Sequence, residues 1–164
     1  MGNALPLKDY SELVNGHDIV IRFNRLNFLW TGFLGRKTDI WAIQNMDETL
    51  RRRKTLFGEW ERLLIISENK YKDYTQEILQ VNNWEEKLYS TIYSDDLPLK
   101  EKLRGNNGSS GFIILEWVLQ AYPNLLYPIS IVGFTWEGWT GHSWELEREL
   151  CYQYQFEKKV KIHL

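Results

Sequence analysis

Four short runs, at 18–23, 38–43, 63–66 and 129–132, are rich in β-branched and aromatic residues and are mostly apolar at successive positions. A strand with apolar residues on both faces must be covered on both. That is the condition of a strand inside a parallel sheet, not of a half-solvated antiparallel one. Stretches with helical spacing fall between and after these runs, at 46–57, 70–80, 112–122 and 144–156. The alternation predicts an α/β fold: a Rossmann-like, mostly parallel sheet flanked by helices. The chain has 164 residues and no internal repeat, so a single domain over 1–164 is expected. Ligands of such sheets sit beyond the carboxyl ends of the strands, which is where candidate residues are sought.

Charge and composition remove several classes of function. Lys+Arg 20 against Asp+Glu 22 gives a formal net charge of -2, so a globally basic nucleic-acid binder is not expected. The aromatic share is 15%, enough to fill a core and still line a cleft with flat rings. Cys151 is the only cysteine, which excludes an internal disulfide and a cysteine-built zinc site and suits a reducing compartment. No apolar run approaches the ~20 residues of a spanning helix. Residues 1–7 lack the charged-then-apolar pattern of a signal peptide, and Pro6 stands where a myristoylation signal needs Ser or Thr. A soluble, cytoplasmic protein is expected. The basic clusters at 51–54 and 158–161 suit a solvated helix face or tail, or contact with an anionic membrane surface or glycan.

Three segments carry candidate chemistry. In 105–111, Gly-Asn-Asn-Gly-Ser-Ser-Gly, Ser109 or Ser110 can cap the following helix, whose free N–H groups form an anion site; no Gly-Lys-Ser/Thr follows, so it is not a P-loop. A capped surface loop and a phosphate cradle both fit. In 141–150, Ser143 is placed to cap a helix whose buried stripe is Leu146, Leu150, Cys151 and Tyr154. His142 then sits at the positive end of that helix, which disfavours the imidazolium and leaves a neutral ring suited to general-base work. The alternative is a polar turn residue, and Glu145 with Glu149 reads as a carboxylate pair or, more simply, as solvated surface. In 16–25, a strand ending Arg22-Phe23-Asn24 delivers polar groups to the carboxyl edge. Arg22 could meet a phosphate or carboxylate, or pair with Asp18 or Asp39; Asn24 could read a base or ribose.

Taken in order, these residues resemble the sialyltransferase family defined by L, S, III and VS motifs. The L-type pattern is matched by Gly2-Asn3, by His17-Asp18-Ile19-Val20-Ile21-Arg22-Phe23-Asn24 and by Gly35-Arg36-Lys37-Thr38-Asp39. The S-type pattern is matched by Ser109-Ser110-Gly111 before an apolar helix and by a strand ending Gly133-Phe134, and the VS pattern by His142 with Glu147. The resemblance implies a variant of the GT-A glycosyltransferase fold. It also implies a metal-independent, inverting transfer of sialic acid, or a related sugar such as Kdo, from a CMP-sugar to a hydroxyl of a glycan acceptor. His142 would be the base and Glu147 its support. Asn3, Arg22, Asn24, Ser109, Ser110, Gly111, Gly133 and Phe134 would form the donor site, with no cofactor beyond the donor itself.

Two places depart from the family pattern. Only Met1 precedes Gly2 where the family has a hydrophobic strand, so the first strand of that fold is expected to be missing. The stretch 135–141, Thr-Trp-Glu-Gly-Trp-Thr-Gly, holds no histidine where motif III supplies one to the donor phosphate. The rival readings are a separate bacterial sialyltransferase family, which lacks the His142/Glu147 pair, and a catalytically inactive nucleotide- or glycan-binding module of the same fold.

Overall fold

The computed structural model describes residues 8–24, 32–44, 60–69, 74–84, 86 and 88–163. Asn3, the helix expected at 46–57, the basic cluster at 51–54 and the start of the helix expected at 70–80 lie outside these residues. In chain order the elements are α1 (Ser11–Asn15), β1 (Ile21–Phe23), β2 (Ile40–Gln44), β3 (Arg62–Ser67), α2 (Tyr74–Asn82) and β4 (Leu88–Tyr93). A 3-10 turn (Ser94–Asp96) leads to α3 (Leu99–Lys102), α4 (Ser110–Ala121), β5 (Ile129–Val132), α5 (Trp144–Phe156) and β6 (Val160–His163).

Strands β1 to β4 form one sheet in the order β1-β2-β3-β4, every neighbour parallel. Its two faces explain the apolar runs. Trp41, Ile43, Leu63 and Ile65 pack with Ile78 and Leu79 of α2 and with Trp84. The alternate residues Ala42, Leu64, Ile66 and Ile92 pack with Phe112 to Leu115 of α4. The chain is therefore α/β, a four-stranded parallel sheet flanked by helices, an arrangement compatible with a Rossmann-like fold. Among the described residues no helix is long and apolar enough to cross a membrane.

Strands β5 and β6 form a second parallel pair. Val132, at the end of β5, packs with Val20 just ahead of β1 and with Val14 and Leu34. Phe134 meets Phe23 edge-on, ring centroids 5.7 Å apart. β5 thus lies on the flank of β1. Among the described residues the two sheets share no strand pairing and meet through these side chains, near the carboxyl ends of β1 and β5.

The short helices α1 and α3 were not expected from the sequence, and both strands missed from it are edge strands. Leu88–Tyr93 is exposed over its first three residues, and Val160–His163 carries Lys161 outward. Among the described residues several polar side chains are buried, three of them charged: Arg22, Glu116 and Glu147. Glu116 of α4, 3% exposed, accepts from Lys102 Nζ and Tyr154 Oη at 2.5 Å each, which compensates the charge it carries into the core.

Candidate functional site

The carboxyl ends of β1, β2 and β5 and the amino ends of α4 and α5 surround a cleft of about 650 Å³. Its floor is built at the start of α4. Ser109 is extended (φ -65, ψ 156) and its Oγ accepts from Phe112 N–H at 3.3 Å, the N-cap that the sequence reading expects. Ser109 also donates, N–H to Glu147 Oε1 at 2.7 Å and O–H to Glu147 Oε2 at 2.6 Å. Glu147 is 1% exposed. Burial lifts its pKa above the usual carboxylate value, and the two bonds from Ser109 pull it part of the way back. The carboxylate ties the first turns of α5 to the cap of α4. Its hydrogen bonds among the described residues go to Ser109 and not to His142.

Gly111 follows in the first turn. A Cβ here would lie 2.6 Å from Phe134 Cζ and 2.8 Å from Phe23 Cζ. The glycine lets α4 close against the ends of β1 and β5, the helix–strand approach that glycines serve in doubly wound folds. Among the described residues no acceptor is recorded for the N–H groups of Ser110 and Gly111, the two positions between the cap and Phe112. They remain available at the positive pole of a 12-residue helix.

Asn24 ends β1 in the left-handed region (φ 54), a conformation Asn tolerates better than most residues. Its backbone is held on both sides: N–H to Ala42 O at 2.8 Å, and C=O accepting from Trp41 Nε1 at 2.9 Å. The side chain faces α4, with Nδ2 donating to Ser110 Oγ at 2.9 Å, while Ser110 O–H reaches Gln44 Oε1 at 3.4 Å. Asn24 Oδ1 is buried and has no partner among the described residues. An acceptor buried in this state is free to take a donor from water or from a bound molecule.

His142 also lines the cleft, bridged to Asn107 just ahead of the α4 cap. Its ring meets Trp139 and Trp144 edge-on, at centroid distances of 4.9 and 5.0 Å. Burial between the indoles lowers its pKa below the usual imidazole value, offset in part by the Asn107 carbonyl. Nδ1 faces Asn107 O at 3.3 Å. A carbonyl only accepts, so this bond requires the proton on Nδ1 and leaves the lone pair on Nε2. The Trp139 indole lies over Gly141, where a Cβ would meet its ring unless the exposed indole moved.

Seven of the residues expected from sequence line this cleft together: Asn24, Ser109, Ser110, Gly111, Gly133, Phe134 and His142. Arg22 does not. It is 3% exposed, and its guanidinium donates to Lys37 O (2.9 Å), Thr38 Oγ1 (3.0 Å), Leu34 O (2.8 Å) and Gly35 O (3.1 Å), holding the loop between β1 and β2. Neither Asp18 nor Asp39 pairs with it; Asp39 accepts instead from Val20 N–H and lies 3.6 Å from Lys37 Nζ. Without a counter-charge, burial brings the Arg22 pKa down to about 10. Ser143 stands at the N-cap of α5 but makes no capping bond with its side chain, and Glu145 and Glu149 are solvated. The stripe on α5 is as expected at Cys151 and Tyr154, with Glu147 added to the buried set.

Sequence reading missed Gln44, Trp136, Trp139 and Trp144. The density of Trp and Gly around His142 was the available signal for three of them. The cleft's charged lining consists of Glu137 and the titratable His142; no lysine or arginine lines it among the described residues. Compared with protein-family models, curated proteins and solved structures, the chain has no match.

Proposed function

We propose that the chain is an inverting glycosyltransferase, built on a variant of the GT-A arrangement. In this reading it moves sialic acid, or a related sugar such as Kdo, from a CMP-sugar to a hydroxyl of a glycan acceptor, without a metal. The observation that carries the reading is His142. Burial disfavours its imidazolium, and the Asn107 carbonyl at Nδ1 favours the tautomer that leaves the Nε2 lone pair free. It shares one cleft with an Asn24 Oδ1 that has no partner among the described residues and with the open start of α4. His142 Nε2 takes the acceptor hydroxyl proton, the oxygen bonds to the anomeric carbon from the face opposite the donor phosphate, and the C–O bond to CMP breaks with its electrons leaving on the phosphate. Asn24 Oδ1 accepts from a ribose hydroxyl or the cytosine amine. Ser110 and Gly111 N–H hold the departing phosphate, which receives its stabilisation from neutral donors and a helix pole.

Replacing His142 by Gln tests this. Turnover should fall by ~10²–10⁴, the usual contribution of a general base, while CMP affinity stays within about twofold. Full turnover in the variant would remove His142 from the role. The second reading, an inactive nucleotide- or glycan-binding module, is favoured by the absence of Lys and Arg from the cleft lining among the described residues. CMP binding without transfer to any glycan hydroxyl would select it.

A further inference from the structure

Both helices that begin at the cleft end on the opposite side of the molecule. At 1.5 Å per residue, α4 and α5 carry the chain roughly 17–18 Å away from it. There the 122–128 loop and the turn after α5 come together, because Ile129 N–H donates to Lys159 O at 2.9 Å. This end is apolar and exposed to a degree unusual for folded protein: Leu126 is 92% exposed, Phe156 89%, Tyr127 81% and Tyr122 56%. Pro123 and Pro128 bracket the loop, which contains no charged residue. Beside it Lys158 and Lys161 are exposed and have no ion-pair partner among the described residues, while Glu157 is taken by Lys159 at 2.7 Å.

We infer that this end of the molecule docks on an anionic lipid bilayer. Leu, Phe and Tyr side chains standing out of a small tip, with lysines behind them, match the two layers of a membrane surface: acyl boundary outside, anionic headgroups beside the cations. A protein partner needs a broad complementary face of roughly 800 Å², whereas a bilayer closes around a protruding tip. A second copy fits less well, since a two-fold contact here would bring Lys158 and Lys161 against their own symmetry mates, and Glu157 beside them is already paired with Lys159. Docked this way, the cleft faces the aqueous side. The inference holds whatever the cleft binds.

The test is co-sedimentation of the whole 164-residue chain with vesicles of phosphatidylcholine alone and with about a third phosphatidylserine. Binding is expected to the anionic vesicles and to weaken with salt. Lys158→Glu with Lys161→Glu should reduce it by at least about fivefold per position, from the effect of each cation near the surface. Leu126→Ser with Phe156→Ser should reduce it about tenfold or more, with the melting temperature unchanged because both side chains are in water. No binding to anionic vesicles, or binding that the Ser pair leaves intact, overturns the inference. A dimer in sedimentation velocity that Phe156→Ser dissolves, without vesicle binding, would overturn it by assigning the patch to a second copy.

Discussion

Replacing Glu147 exposes how α4 and α5 are held together. The carboxylate is 1% exposed and receives both donors of Ser109, at 2.7 and 2.6 Å. Glu147→Ala leaves a buried N–H and O–H without acceptors and opens a cavity. Two bonds to a charged acceptor are worth about 1.5–3 kcal/mol each, and the relief of a buried carboxylate offsets part of that. The net loss is about 2–4 kcal/mol. For a chain of this size it lowers Tm by roughly 4–16 °C, at about 2–4 °C per kcal/mol. Glu147→Gln keeps one acceptor oxygen, and its amide can donate to Ser109 Oγ, so it should lose only about 1 kcal/mol. The two variants also separate by pH. Burial holds the folded-state pKa of Glu147 above its unfolded value, so its contribution to stability is full below the unfolded pKa and is lost as pH rises through the folded one. Urea unfolding of wild type and Glu147→Gln from acid to neutral pH should therefore show the wild-type advantage shrinking as pH rises. Glu147→Ala melting within 1 °C of wild type would refute the clamp, and an advantage that grows with pH would refute the assignment of burial as the dominant influence.

Gly111→Ala forces a Cβ against the rings of Phe134 and Phe23 and should cost about 1–3 kcal/mol by overpacking, read as a lower Tm; recovery in the double variant with Phe134→Leu would identify the clash. Arg22→Lys keeps the charge but loses the planar fork that spans four acceptors of the 34–38 loop, so stability should drop by about 2 kcal/mol. A selective loss of nucleotide affinity with stability intact would instead put Arg22 at the phosphate. Burial raises the Cys151 thiol to about 12, so it should resist iodoacetamide at neutral pH until the chain unfolds; rapid native labelling would contradict its place in the core.

The central elements were legible in the sequence because their side chains have one environment. Ile129–Val132 and Trp144–Phe156 fall where apolar content and helical spacing put them. Leu88–Tyr93 was missed because an exposed edge strand need not be apolar, and Val160–His163 because its lysine reads as a charged tail. The site divides in the same way. Ser109 and Gly111 announce a capped, close-packed helix start, and the structure places both there. The fate of Arg22 depends on strand alternation. Phe23 packs toward α4, while Arg22 is in register with Trp41 on the other face and is carried into the 34–38 loop. Asn24 escapes that alternation through its left-handed backbone, which pattern does not reveal. Gln44 reaches Ser110 only because β2 lies beside β1, a fact of topology and not of local sequence.

The central claim is that the cleft between β1, β5 and the start of α4 takes a cytidine nucleotide beside a neutral His142. Calorimetric titration of the 164-residue chain with CMP tests it most directly. The account predicts micromolar binding that Ser110→Trp abolishes and His142→Gln leaves in place. Absence of heat and of any CMP-induced rise in Tm, or binding that Ser110→Trp does not disturb, would contradict it.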